Sequence, residues 1–275
     1  MSSDKKDPIG IFDSGIGGLT VVKKIEKYLP GENNIYFGDT ARVPYGAKSN
    51  STVIEYSIQD AQFLVNQNIK LLIVACNTAS SVALNALKEK FDIPIIGMIE
   101  PGAQMALEKS KSGKIGVIGT YATINNKAYS NEINKLDASA KVFEKACPLF
   151  VPLAEEGWTD HKATYAVAEE YLAELKRQKI DTLILGCTHY PILTKAIQDV
   201  IGHDVTLIDS GTAAARQVKK YLTENNYQND SGKKSSDKFF VSDVPTKFIE
   251  FAQRFLGREI NEISKIDLEE ALTNN

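Results

Sequence analysis

Cysteine and histidine are scarce, with three of each in 275 residues. The cysteines (Cys76, Cys147 and Cys187) are odd in number and form no CxxC pair. This argues against a disulfide framework and, with so few histidines, against a structural zinc site. A reducing, cytoplasmic setting is the expectation. The opening residues MSSDKKDPIG hold no apolar core of the kind a secretory signal needs. No uninterrupted apolar run approaches the roughly 20 residues of a membrane-spanning helix. Positive charge is not in excess either: 32 Lys and Arg stand against 35 Asp and Glu, a formal net charge of -3. That leaves no basic footprint for nucleic acid and no polybasic patch for a membrane surface. What remains is an ordinary globular composition, 43% hydrophobic and 24% charged, in a chain long enough for two domains.

Strand and helix signals alternate along this chain. Ile9-Gly10-Ile11-Phe12 reads as a strand running into a glycine-rich loop, Asp13-Ser14-Gly15-Ile16-Gly17-Gly18. Apolar residues at Leu19, Val22, Ile25 and Leu29 predict a helix that stops at Pro30-Gly31. Further strands are expected at 35–37, 71–74, 94–97, 115–119, 150–153, 182–185, 205–208 and 239–241. Helices are expected over 50–67, 80–90, 164–176, 210–222 and 246–256, with a turn and helix opening at Thr120-Tyr121-Ala122-Thr123. The polar segment 228–238 (QNDSGKKSSDK) has no periodicity and reads as a mobile surface loop. The pattern is doubly wound α/β. It divides into a first domain of residues 1–98 plus 208–275 and a second of 99–207. A short echo, Phe12-Asp13-Ser14-Gly15 and Ile208-Asp209-Ser210-Gly211, fits two similar domains facing across a cleft.

The chemistry gathers at two of these strands. Leu71-Leu72-Ile73-Val74 and Thr182-Leu183-Ile184-Leu185 are short, buried-type runs ending in Ala75-Cys76-Asn77-Thr78 and Gly186-Cys187-Thr188-His189. Open α/β sheets place ligands at the carboxyl ends of their strands, so both thiols are expected at ligand sites. Two thiols facing one substrate from opposite sides suit moving a proton from one face of a carbon to the other. Each cysteine is expected to precede a helix whose amides and dipole favour the thiolate. His189 titrates near neutrality beside Cys187, and Asp13 is the best-placed helper for Cys76. A lone strand-end cysteine is usually a small buried hydrophobe, which is the reading for Cys147. The Asp13–Gly18 loop admits two readings: a cradle for a small carboxylate at a helix N-terminus, or a turn capped by Asp13. It lacks the lysine of a Walker A loop and does not match GxGxxG.

From Ile9 to about Gly211 the spaced motifs resemble the cofactor-independent aspartate/glutamate racemase family. They are Gly10-Ile11-Phe12-Asp13-Ser14-Gly15-Ile16-Gly17-Gly18-Leu19, Tyr36-Phe37-Gly38-Asp39-Thr40, Pro44-Tyr45-Gly46, Ala75-Cys76-Asn77-Thr78-Ala79-Ser80 and Gly186-Cys187-Thr188-His189-Tyr190-Pro191. The resemblance implies two similar doubly wound α/β domains with the active site in the cleft between them. It implies interconversion of L- and D-glutamate by a two-base 1,1-proton transfer with no cofactor and no metal. The cysteine matching Cys187 takes the proton from L-glutamate, and the one matching Cys76 returns a proton to the other face. Asp13 is expected to assist Cys76, and His189 to assist Cys187. Asp39 and a glutamate of 153–157, Glu155 in preference to its neighbour Glu156, are further supporting carboxylates. Substrate contacts are expected from Asp13, Ser14, Tyr45, Gly46, Asn77, Thr78, Thr188 and His189, with Thr120 and Thr123 from the second domain. The family also implies a homodimer, a cytoplasmic location and supply of D-glutamate for peptidoglycan.

Other readings predict different behaviour. A relative acting on aspartate would differ in pocket depth. A non-catalytic amino-acid receptor would share the two-domain cleft but has no use for paired thiols. A thiol redox or hydrolase role lacks the CxxC pair or an acyl-enzyme motif.

Overall fold

The computed structural model describes residues 4–231, 236–244, 248–260 and 262–273. Strand β1 (Ile9–Asp13) leads to helix α1 (Leu19–Tyr28), β2 (Asn34–Gly38) to α2 (Asn50–Val65), β3 (Leu71–Val74) to α3 (Asn77–Val82) and α4 (Leu84–Lys90), and β4 (Ile95–Ile96) to α5 (Ile99–Lys109). The pattern then repeats. Strand β5 (Lys114–Gly119) leads to α6 (Tyr121–Asn125) and α7 (Ala128–Leu136), β6 (Lys141–Ala146) to α8 (Phe150–Glu155) and α9 (Lys162–Arg177), β7 (Thr182–Gly186) to α10 (Thr194–Ile201), and β8 (Thr206–Asp209) to α11 (Ser210–Glu224). The chain closes with β9 (Asp237–Val241), α12 (Phe248–Leu256), β10 (Ser264–Lys265) and α13 (Leu268–Thr273).

The described residues form two sheets, ordered β10-β9-β2-β1-β3-β4 and β6-β5-β7-β8. Every strand pair is parallel. Strand β8 completes the second sheet, and the chain then returns to the first, where β9 lies against β2. In each sheet the chain runs outward on one side and restarts on the other. The reversal falls between β1 and β3 in the first sheet and between β5 and β7 in the second. Such reversals open a crevice at the strand carboxyl ends, because the connecting helices leave to opposite faces.

One apolar cluster runs through both sheets. It joins Ile9, Ile11, Leu71 and Ile73 of the first to Leu183 and Leu185 of the second through α1 and α11. Helix α11 presents Ala214 and Ala215 to that core, and such small side chains let it lie close to its neighbours. A second cluster fills the space between the first sheet and α2, and a third the space between the second sheet and α5 with α7. Lys70 is fully buried. It pairs with Glu32 at 2.6 Å and donates to the carbonyls of Lys5 (2.6 Å) and Tyr227 (3.0 Å). This lashes the N-terminal segment and the end of the α11 connection to the lower rim of the first sheet.

Several expectations need correction. Residues 150–153 are not a strand but the start of α8. A short apolar run does not distinguish the two, and Pro152 sits in the first turn, where its missing N–H costs no helical bond. The strand is β6 instead, an edge strand whose part-exposed residues give no clean apolar run. The helix expected from 80 begins at Asn77, capped by Cys76, and is interrupted at Ala83 between α3 and α4. Segment 228–238 is anchored at both ends. Asn229 donates its backbone N–H to Glu32 (2.9 Å) and its side chain to the Gly31 carbonyl (2.9 Å), and Asp237 and Lys238 belong to β9. Residues 232–235, and 246–247 of the expected last helix, lie outside the described residues.

Candidate active site

The two crevices meet in one cavity of about 300 Å³. Ser14 follows β1, Cys76 follows β3, Thr120 follows β5 and Cys187 follows β7, and all four line it. Both cysteines are reduced and only 6% exposed. Tyr45, Gly46, Asn77, Thr78, Thr188 and His189 also line the cavity, as does Glu155, which the sequence favoured over Glu156. Sequence reasoning did not find the apolar wall of Val43, Pro148, Val151 and Pro152, nor Tyr121 at the rim. These residues carry no chemical signature and are recruited by the packing of α8 and α6.

The glycine-rich loop contains a turn: Asp13 is fully buried and its carboxylate accepts the Gly15 N–H at 3.0 Å, while Ser14 and Gly15 line the cavity. The glycines serve close approach. A Cβ on Gly17 would lie 2.5 Å from His189 Nδ1 and closer still to Thr188 Oγ1, and one on Gly18 would strike the Asp13 Cβ at 2.5 Å. The loop is thereby pressed against the second cysteine motif. Thr188 donates to Asp13 at 3.3 Å, and Thr20 donates to the Thr188 carbonyl at 2.9 Å.

The two thiols sit in opposite electrostatic settings. Burial pushes the Cys76 pKa up to about 12, aided by the Asp13 charge and opposed by the Ala79 N–H and Ser14. The sulfur caps α3, accepting the Ala79 N–H at 3.5 Å, and lies 3.6 Å from the Ser14 hydroxyl. The expected pull of the helix toward thiolate is therefore overruled at Cys76, since six helical residues supply less than desolvation removes. Burial also raises the Asp13 carboxyl, against the His189 charge and the Gly15 amide. Cys187, unlike Cys76, does not open an α-helix, for Tyr190–Leu193 is a 3₁₀ turn. What it has instead is His189, whose Nδ1 stands 3.9 Å from its sulfur and whose Nε2 stands 3.0 Å from Glu155 Oε1. Burial alone pulls the His189 pKa down. The hydrogen bonds and charges of Cys187 and Glu155 outweigh it and carry the value to about 10. A charged imidazole is thus the nearest cationic partner of the Cys187 sulfur.

Asp39 is placed behind the wall rather than in it. Its Oδ2 accepts from Arg42 Nε (2.6 Å) and from the Tyr45 hydroxyl (2.5 Å), and its Oδ1 from Ser242 (2.9 Å). The Tyr45 hydroxyl also lies 2.8 Å from Asp60 Oδ2, and Arg42 Nη2 donates to Asp60 Oδ1 at 2.8 Å. One hydroxyl hydrogen cannot serve two carboxylates, so one carboxyl brings its own proton. Of the two, Asp60 is the one whose pKa burial and the Asp39 charge raise well above the usual range, against the pull of Arg42. This network, whose members Arg42 and Asp60 gave no sequence signal, fixes Tyr45 and Gly46 over the cavity. Opposite them Thr120 is bonded to Thr78 at 2.9 Å and to Thr123 at 3.1 Å. Thr123 is buried beneath and does not reach the cavity surface. Asn77 is oriented by the Tyr129 hydroxyl (2.7 Å) and donates to Ser210 (3.3 Å). The second DSG motif is structural, with Asp209 capping α11 and pairing with Lys24. Cys147 is fully buried away from the cavity.

Among the described residues, no group of three or more His, Cys, Asp and Glu side chains is gathered as a metal site requires. Nor is any helix of the described residues long and apolar enough to cross a membrane. Residues 9–218 match the model of the Asp/Glu/Hydantoin racemase family. The chain belongs to that family. As a member of this racemase family it is an isomerase. Its relatives include a glutamate racemase of Geobacter metallireducens, 51% identical over 261 residues that make up 95% of this chain and 97% of that one. Another, from Chlorobaculum tepidum, is 51% identical over 269 residues, 98% of each chain. Among solved structures, the glutamate racemase of Francisella tularensis in complex with D-glutamate superposes with a TM-score of 0.91 at 40% identity, covering 97% of this chain and 99% of that one. The RacE1 glutamate racemase of Bacillus anthracis gives 0.92 at 39% identity, covering 96% and 98%. The family's two facing α/β units are thus the architecture of this chain as well.

Proposed function

We propose that this protein interconverts L- and D-glutamate by a cofactor-independent, two-base transfer of the α-proton. The observation that carries the reading is the pair of strand-end cysteines, one from each sheet's chain reversal, lining a single small cavity. The bound D-glutamate of the Francisella relative supports glutamate as the substrate. The cavity volume is at the low end for ligand sites, in keeping with a five-carbon amino acid.

In the L-to-D direction Cys187 acts as the base that takes the α-proton, with the His189 imidazole 3.9 Å from its sulfur. The Cys76 thiol, kept protonated by burial and by Asp13, delivers a proton to the opposite face. The reverse direction exchanges the roles. Among the described residues lining the cavity none is lysine or arginine. Substrate carboxylates and the carbanion therefore rely on Ser14, Asn77, Thr78, Thr120, Thr188 and the His189 cation, preorganised in a site that excludes water. Residues 1–98 with 208–275 act as one domain and 99–207 as the other, the later boundary falling within β8. A homodimer, a cytoplasmic location and the supply of D-glutamate for peptidoglycan complete the reading.

The test is purified protein with L-glutamate in D₂O, without pyridoxal phosphate, followed by circular dichroism and α-proton NMR. Loss of optical signal with deuterium entering at Cα is the expected result. Racemisation of L-aspartate alone would keep the mechanism and change the substrate. Exchange with no amino acid would overturn the reading in favour of a binding protein.

A further inference from the structure

We infer that Arg254, seconded by Phe255, is a positioning residue for the Glu155–His189 pair, so that the C-terminal helix α12 sets the competence of the Cys187 side of the reaction. The inference rests on the two-thiol reading above and extends it to a helix that contributes nothing to the cavity lining.

Helix α8 is one and a half turns long and ends at Glu155, so its last carbonyls need partners from outside. The chain itself takes three of them: the N–H groups of Glu156, Trp158 and Gly157 bond the carbonyls of Pro152, Leu153 and Ala154. The carbonyl of Glu155 goes instead to Arg254, whose Nη1 donates to it at 2.8 Å. A guanidinium at a helix C-terminus also complements the helix dipole. The chain makes room for this contact. Gly157 has φ +72°, and a Cβ there would stand 2.5 Å from Arg254 Cζ. The next residue, Phe255, is fully buried and sets its ring edge-on to His189, with centroids 5.2 Å apart and planes at 78°.

Two consecutive residues of α12 therefore hold the two members of one pair, Arg254 through the Glu155 backbone and Phe255 through the face of the imidazole. Helix α12 follows β9 of the first sheet and packs along α1, whereas Glu155 and His189 belong to the second. The pair is thus referenced to the first sheet, where Cys76 resides. Among the described residues nothing comparable connects α12 to Cys76, whose hydrogen bonds go to Ser14 and the start of α3. A disturbance at Arg254 is expected to fall on one proton transfer and spare the other.

Because enantiomers are equal in free energy, kcat/KM must fall equally in both directions, so rates alone do not reveal the asymmetry. Isotope effects do. If proton transfer to and from Cys187 slows, abstraction becomes the slow step from L-glutamate, and delivery becomes the slow step from D-glutamate. For Arg254→Ala, kcat/KM is expected to drop about 10- to 100-fold. The primary isotope effect on kcat/KM is expected to rise with L-[2-²H]glutamate and fall with D-[2-²H]glutamate. Arg254→Lys, which keeps the aliphatic stem and one donor, is expected to lie between wild type and Arg254→Ala, and it carries the test if the alanine variant does not fold. Glu250→Gln removes the exposed ion pair of Arg254 at 3.0 Å and is expected to behave as wild type. A wild-type enzyme that exchanges no α-proton of glutamate overturns the proposed function itself. With wild type active, the inference alone is overturned by undiminished activity of the Arg254 variants. Activity lost with both isotope effects unchanged, or Glu250→Gln as impaired as Arg254→Ala, overturns it equally.

Discussion

Replacing Gly17 by alanine adds a single methyl group at the point where the two cysteine-bearing halves press together. The backbone of Gly17 needs no left-handed conformation, so the consequence is purely steric. The new Cβ would lie 2.5 and 2.6 Å from His189 Nδ1 and Cε1, about 1 Å inside ordinary van der Waals contact, and nearer still to Thr188 Oγ1. None of these atoms is the free end of a long side chain. Thr188 is tied to Asp13 and Thr20, and His189 to Glu155, so the loop and the second cysteine motif must separate. Overpacking of this kind costs about 1–3 kcal/mol, and each kcal/mol lowers Tm by about 2–4 °C in a chain of this size. A 1 Å displacement of a group that supports proton transfer costs about 100-fold in rate. Gly17→Ala is therefore expected to remain folded, with a Tm several degrees lower, and to lose about 100-fold in kcat/KM for glutamate racemisation. Gly31→Ala, whose Cβ would meet only the Asn229 carbonyl at 3.4 Å, is the control and should change neither. Thermal unfolding and polarimetric racemisation measure the two effects separately. A variant with lowered Tm and undiminished kcat/KM would refute the link between loop packing and chemistry, and one unchanged in both would refute the packing itself.

Cys76→Ala and Cys187→Ala should each abolish racemisation while leaving Tm within a few degrees, since either change removes one buried sulfur from a cavity wall; racemisation at the wild-type rate by either variant contradicts the two-base mechanism. Glu155→Gln should move the basic limb of the pH–kcat/KM profile to lower pH, because the Glu155 carboxylate is one of the groups that raise His189 to about 10; an unshifted limb would exclude His189 as its origin. The same shift has a stability sign: a folded pKa above the unfolded one means that the His189 contribution is complete below about pH 6.5 and disappears as pH rises through about 10. In the wild type, Tm should therefore fall over that window, and the His189→Gln variant should show a flatter dependence. Asp60→Asn imitates a carboxyl that is already protonated, so at pH 7 its Tm should equal or exceed wild type; the raised Asp60 pKa makes the wild-type contribution full only at acid pH, so wild type should gain on the variant as pH falls. A loss of many degrees at pH 7 would mean that Asp60 is ionised.

Much of this molecule was legible before folding. The runs ending at Cys76 and Cys187 are β-branched and leucine-rich over a strand's length, and strands buried on both faces leave that signature whatever surrounds them. The alternation of such runs with amphipathic stretches forces parallel sheets, and parallel sheets put their sites at carboxyl ends. Composition and local pattern therefore led to the fold class, the two thiols, Asn77 and Thr78, while Ser14, Thr188 and the cavity-lining Glu155 came from the resemblance of the spaced motifs to the racemase family. Local pattern failed where the decision is made at a distance. Residues 150–153 are equally apolar as strand or helix, and only the space beside the second sheet selects α8. Gly17 and Gly18 look like a ligand cradle, yet they are small because Thr188, His189 and Asp13 already fill that volume. Asp39 and Asp60 lie in different segments and meet only through Tyr45 and Arg42, so neither their pairing nor their position behind the wall could be read from spacing. Arg254 is about a hundred residues from the carbonyl it holds. Sequence alone determined which groups are chemically capable, because strand periodicity and side-chain type are local properties. Tertiary structure alone decided which of them face the cavity, how strongly burial opposes ionisation of Cys76 and which helix lies against the histidine, because burial and charge proximity depend on residues far apart along the chain.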